Sequence, residues 1–215
     1  MTVDPIRRRT LFRLAIAGVM ANGGLATTAH AQSAGVPAAP IERLNAALIA
    51  AMKLGRSAPF SQRFETLAAR VDEAFDLDAV LRTSVGPSWV SLPADEQHQL
   101  QTAFARYTVA NYVANFDSYA GETFQVAPET RAIGNGDQVV TTRIIPTSGS
   151  ATVLSYVMRA TSNGWKAVDV LADGAISRVA VQRSDFRGLL RHGGGAALVA
   201  SLQHKVADLS GGALA

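Results

Sequence analysis

From Phe124 to Leu171 the apolar residues of this chain recur at every second position, and on both sides of that block they recur every third or fourth. A period of about 2 belongs to a half-buried strand and one of about 3.6 to a half-buried helix, so the chain must join helices, a sheet and helices again. The strands are punctuated by short turns. Gly134-Asn135-Gly136-Asp137, "PTSGS" after Ile145, "SNG" at 162–164 and "ADG" at 172–174 all carry residues that tolerate tight hairpin geometry. Short turns between successive strands imply antiparallel pairing, because parallel strands need long crossovers. The expected fold is therefore α+β: N-terminal helices, an antiparallel meander of four to five strands, and C-terminal helices packed on one face.

Residue spacing places the elements. Ile41, Leu44, Leu48 and Met52 form one helical stripe, and Phe60, Phe64, Leu67, Val71 and Phe75 a second. A short helix over Leu77–Val85 stops at Gly86-Pro87. "SLPADEQ" opens a long helix expected to reach Tyr119, with Pro93, Asp95 and Glu96 suited to its first turn. Strands are expected at Phe124–Val126, Val139–Ile145, Thr152–Ala160 and Trp165–Leu171, with Ala175–Val179 as an extension. Helical spacing returns at Ser184, where Asp185 suits a helix start, and is broken at Gly193-Gly194-Gly195.

The first 31 residues differ from the rest. Four arginines precede an apolar stretch and the small-x-small sequence Ala29-His30-Ala31, the pattern of a cleaved secretory signal. Arg8-Arg9-Thr10-Leu11-Phe12-Arg13 resembles a twin-arginine signal, with the general secretory route as the alternative. The expected organisation is a signal over 1–31, a linker over 32–40, one domain over 41–208 and a flexible tail over 209–215. Because the signal holds four arginines and one aspartate, the remainder has 16 basic and 16 acidic residues and no net charge. A nucleic-acid partner is not expected of such a chain. With no cysteine, disulfides, thiol nucleophiles and cysteine metal sites are excluded, and with four histidines, one of them His30 in the signal, a histidine metal site is not expected.

Three features could carry chemistry. His192-Gly193-Gly194-Gly195 resembles the oxyanion loop of esterases, yet the chain lacks the G-x-S-x-G turn that such enzymes need, so the glycines read as a hinge. Asp169 on the last strand, opposite Tyr156, would suit proton transfer of the isomerase kind in a cone-shaped α+β fold. It would equally suit pairing with Arg178 or Arg183, or bonding to turn amides. Finally, aromatic and sulfur side chains gather on the long helix and on the strands. Phe104, Tyr107, Val113 and Phe116, with Leu154, Tyr156, Met158, Val168 and Val170, are the residues expected to face a shared apolar interior. Val168 and Val170 are chosen on the assumption that Trp165 and Asp169 face outward or toward the rim.

"FDLDAVLRTSVGPSWVSLPADEQHQLQTAFARYTVANY", "GWKAVDVLADGAISRVAVQRSDFRGLL" and "GGGAALVASLQHK" occur in that order along the chain. Together they resemble the MlaC, or toluene-tolerance, family of periplasmic phospholipid-binding proteins, and within it the hopanoid-biosynthesis-associated branch called HpnM. The resemblance implies an apolar cavity between the helical and sheet layers that takes the tails of a phospholipid or hopanoid-type lipid. It implies a monomeric periplasmic carrier serving inner- and outer-membrane lipid-transport complexes, as an auxiliary of an ABC transporter. It implies neither catalysis nor a cofactor, and transfers no catalytic residues. A lipid-free envelope adaptor is the remaining alternative.

Overall fold

In the computed structural model, which describes residues 36–214, Pro40 sits in the first turn of helix α1 (Ala39–Leu54). Proline suits that place, where its missing N–H has no helical partner, so the helix begins inside the expected linker. The expected signal and the linker up to residue 35 lie outside the described residues. Ile41, Leu44 and Leu48 of α1 are buried against Leu67, Val71 and Ala74 of helix α2 (Phe60–Ala74).

The second stripe was expected to include Phe75 as a helical residue, but α2 ends one residue earlier. Phe75 is extended and forms a parallel bridge to Ala167, and the Asp76 amide donates to the Ala167 carbonyl at 3.0 Å. The Asp76 carboxylate then accepts from the Ala79 amide at 2.9 Å, which caps helix α3 (Leu77–Val85). A 3₁₀ turn over Gly86–Ser91 leads to helix α4 (Ala94–Asn115). This helix is shorter than expected. The Asn115 side chain donates to the Asn111 carbonyl at 2.7 Å, and Arg56 holds Asp117 at 2.6 Å just beyond the helix end. Asn, Asp and Ser, which follow one another here, all favour leaving a helix.

The sheet holds β1 (Thr123–Val126), β2 (Arg131–Ala132), β3 (Gln138–Ile145), β4 (Thr152–Thr161), β5 (Gly164–Ala172) and β6 (Ile176–Ser177). Its order is β1-β3-β4-β5-β6, with β2 adding to β3 and every pair antiparallel. The pairing of β4 with β5 shifts register: Val157 faces Asp169, but Met158 faces Ala167. Val168 is thus the extra residue of a β-bulge. Alternation resets there, so Ala167 and Val170 lie on the same face as Met158 and Tyr156, their respective partners.

Helix α5 (Arg178–Ser210) starts six residues before Ser184, because Ser177 serves as its cap and accepts from the Ala180 amide at 3.0 Å. Asp185 therefore lies inside the helix and does not start it. Gly194, with φ 65° and ψ −158°, breaks α5 in two. The break lets α4 approach closely, since a Cβ on Gly195 would collide with the Glu96 side chain. The glycines, expected as a hinge, thus break the helix where α4 packs against it. Residues 211–214, expected as a loose tail, are tied down: Gly211 closes the helix in the left-handed region, and Arg106 donates to the Leu214 carbonyl at 2.8 Å.

Two cores result. One lies between α1, α2, the C-terminal half of α4 and the sheet, around Leu48, Leu67, Val113, Tyr156 and Met158. The other joins α3, the N-terminal half of α4 and α5, around Leu81, Trp89, Phe104, Leu198 and Leu202. Among the described residues no helix is long and apolar enough to cross a membrane.

Two of the glycines of α5 should respond oppositely to alanine. Gly194→Ala forces a side chain into a left-handed backbone and is expected to lower stability by about 1–3 kcal/mol. Gly188→Ala meets open space in a regular helical turn and is expected to raise it by about 0.5–1 kcal/mol. Urea unfolding of both variants checks the pair.

Candidate functional site

Helix α4 belongs to both cores, and one stripe of it runs from the second core to the edge of the first. Phe104, Tyr107, Thr108, Asn111, Tyr112, Asn115 and Phe116 follow the i, i+3, i+4 rule and line a cavity of about 660 Å³. The facing wall is the sheet, with Ile144 of β3, Leu154 of β4, and Val170 and Ala172 of β5. Phe75, Leu77 and Val80 close one side, and Val179 of α5 and Met52 of α1 complete the apolar lining. That volume falls in the range of about 300–1,000 Å³ usual for small-molecule sites.

Of the polar lining residues, Asn115, Ser118 and Thr152 are exposed and form the lip with Arg178 at the start of α5, while Thr108, Asn111, Glu122, Asp169 and Gln182 are half-buried. Inside, a row of rings runs from the first core along one side of the cavity. Tyr156 meets Phe75 at 6.2 Å between centroids, Phe75 meets Tyr112 at 5.9 Å, Tyr112 stacks on Phe116 at 6.0 Å, and Phe116 meets Phe124 at 6.0 Å. Such contacts hold rings in defined places instead of letting them collapse into the void.

Burial pushes the Tyr156 phenol up to about 12. It also pushes Tyr112 well above its usual value, where the neighbouring Tyr156 hydroxyl adds to burial and Arg178 opposes it. Both phenols therefore stay protonated over the physiological range. Asp169, the residue singled out for proton transfer, is engaged by three donors. It accepts from the Val170 amide at 2.7 Å, the Ser177 hydroxyl at 2.5 Å and the Val179 amide at 3.1 Å. Two of those donors belong to the start of α5, so the carboxylate anchors a helix N-terminus to the sheet. Neither Arg178 nor Arg183 pairs with it; Arg183 donates instead to the Thr83 carbonyl.

Five of the residues expected to face the interior line the cavity: Phe104, Tyr107, Phe116, Leu154 and Val170. The other four do not. Tyr156 and Met158 lie on the inner face of β4 but at the end that α1 and α2 fill, and both are fully buried in the first core. Val113 points to that same core, one position past the α4 stripe. Val168 is displaced by the bulge, and because alternation resets there, a choice between the two faces of β5 has no single answer. Sequence reasoning missed Phe75, read as helical, and Ile144. It also left out Tyr112, which the spacing from Phe104 through Thr108 to Phe116 could have supplied.

A family model described as MlaC protein matches residues 42–204. The solved structure of the phospholipid-binding protein from Ralstonia solanacearum, in complex with a phospholipid, has a similar fold with a TM-score of 0.70. The two chains are 20% identical, and the match covers 82% of this chain and 99% of that one. No curated protein matches the chain.

Two outcomes are expected. Asp169→Ala leaves two amides and a hydroxyl without their acceptor and should destabilise the fold by about 2 kcal/mol, measured by chemical unfolding. The buried phenols should make stability depend on alkaline pH. Their pKa values are higher in the folded than in the unfolded chain, so their contribution is fully present below pH 10 and falls as pH rises through about 12. Unfolding midpoints followed from pH 9 upward should drop in that window, and Tyr156→Phe should reduce the drop.

Proposed function

This chain belongs to the MlaC family, and on that premise we propose that it is a periplasmic lipid carrier, with a phospholipid as cargo. The observation that carries the reading is the cavity itself: apolar walls on α4 and the sheet, and a polar lip at Asn115, Ser118, Thr152 and Arg178. Lipid tails would lie against Phe104, Tyr107, Phe116, Leu154 and Val170, with the head group near the lip. The fold shared with a protein solved in complex with a phospholipid supports this reading. No catalytic step is assigned, since the carboxylate of Asp169 is taken up by helix anchoring.

The energetics suit a carrier. Each methylene moved from an apolar phase to water costs about 0.8 kcal/mol, so a sixteen-carbon tail would cost on the order of 12 kcal/mol if exposed. A carrier need only match the bilayer, so that uptake and release are both close to neutral. Aromatic and aliphatic walls do this, and the Met52 thioether adapts to tails of different shape. The carrier would exchange its lipid with inner- and outer-membrane complexes. Resemblance to the hopanoid-associated branch makes a rigid polycyclic lipid the second candidate cargo, which the same measurement identifies.

Native mass spectrometry with lipid extraction of the protein purified from periplasm should show a bound phospholipid. Leu154→Asp and Val170→Asp each place a carboxylate against the tail and should cut bound lipid at least tenfold while cooperative unfolding is retained. Met158→Arg is not an equivalent test, because it would disrupt a packed core. Wild-type protein that carries no lipid and takes none from vesicles would overturn the proposal.

A further inference from the structure

Although the chain after residue 31 carries no net charge, its charges are unevenly placed. Residues 178–191, the first half of α5, hold four arginines and a single acid, Asp185. Arg183, Arg187 and Arg191 follow one another at helical spacing and are all exposed. With Ser88, Pro87 and Leu190 they line a dimple of about 160 Å³ between α5 and the 3₁₀ turn after α3. Arg183 is fixed by its bonds to the Thr83 carbonyl at 3.0 and 2.7 Å. Arg187 and Arg191 have no hydrogen-bond or ion-pair partner among the described residues.

Exposed aliphatic side chains occur in the elements that carry or adjoin these arginines. Val90, two residues beyond the dimple, is 86% exposed, and Ile176, next to the lip residue Arg178, is 55% exposed. Val181, in the first turn of α5, is 36% exposed. Guanidinium groups without partners interspersed with isolated aliphatics suit one environment: a bilayer interface, where phosphates accept the guanidinium forks and the aliphatics enter the acyl boundary. An acidic protein would satisfy the arginines but give no reason for three separate exposed aliphatics.

We propose that the outward face of the first half of α5, with the adjoining 3₁₀ turn, docks directly on anionic bilayers through Arg187, Arg191 and Val90. Docking there brings Ile176 and the Arg178 lip of the cavity near the membrane, which shortens the path of a lipid between bilayer and cavity. This last consequence rests on the carrier reading; the docking itself does not.

Vesicle flotation of the purified chain tests it, with vesicles of phosphatidylglycerol and phosphatidylcholine against phosphatidylcholine alone. Binding to the anionic vesicles only is expected, weakening as the screening length shrinks from about 30 Å at 0.01 M salt to about 8 Å at 0.15 M. Arg187→Gln/Arg191→Gln should weaken partitioning on the order of 25-fold, about fivefold for each arginine withdrawn from an anionic surface. Val90→Asp should weaken it without altering unfolding. Lipid bound at purification, read by native mass spectrometry, should be unchanged in these variants, because none of the three residues lines the cavity. Equal binding to neutral vesicles, no binding to either, or full binding by the double variant would overturn the proposal. Absence of bound lipid in every protein would count against the carrier reading and leave the docking result standing.

Discussion

Strand β5 terminates one helix and begins another, and the cavity depends on both contacts. Lys166 donates to the Asp72 carbonyl at 2.7 Å, at the C-terminal end of α2, where the helix dipole is negative. Three residues later Asp169 accepts from the start of α5, where the dipole is positive. A cation and an anion on one strand thus meet the matching ends of two helices. Between them stands Val168, the bulge residue. Without the extra residue, Ala167 and Val170 would fall on opposite faces. With it, Ala167 packs under Phe75 in the first core while Val170 turns into the cavity.

The cavity is what remains when two cores form on either side of α4. Protein interiors normally close to the density of organic crystals, so a persistent gap of this size needs walls that cannot fall inward. The ring row supplies one such wall, each ring held by the next, from Tyr156 in the packed core to Phe124 on the edge strand. Asn115, Ser118 and Thr152 supply another reason. Collapse would bury these polar groups against apolar side chains, which costs more than leaving them exposed at the lip. The gap is built into the alternation of aromatic and polar residues on one helical stripe.

Much of this was legible in the sequence. The change of hydrophobic period located the sheet, the turn residues set its antiparallel order, and Leu77–Val85 was read to its observed ends because Gly86-Pro87 is an unambiguous stop. The errors share a cause: each required knowing what packs where. Tyr156 and Met158 alternate correctly with Leu154, but alternation assigns a face and not which end of that face another helix covers. The bulge at Val168 leaves no mark in composition. Phe75 continues a helical stripe perfectly, and only its pairing with Ala167, some ninety residues away, pulls it out of α2. The start of α5 was misplaced because Ser177 and Asp169 cap it jointly across two elements, whereas Ser184-Asp185 mimics a local cap.

The titratable groups around the cavity favour holding over reacting. General acid–base catalysis works best with a group whose pKa lies near the working pH. The two buried phenols, Tyr112 on the cavity wall and Tyr156 in the core behind it, move the other way, Tyr156 to about 12 and Tyr112 well above its usual value, and so stay neutral. Asp169 reaches the lining, but its oxygens accept three bonds that fix α5, and withdrawing it for chemistry would loosen the helix that carries Val179 and Gln182. The other charges in the lining are the exposed Arg178 and the half-buried Glu122, whose carboxylate accepts from the Ala120 amide, with the neutral amides of Asn115 and Gln182 beside them. Apolar depth with a charged lip matches an amphiphile inserted tail first, and the polar end of such a molecule would remain where it can be exchanged.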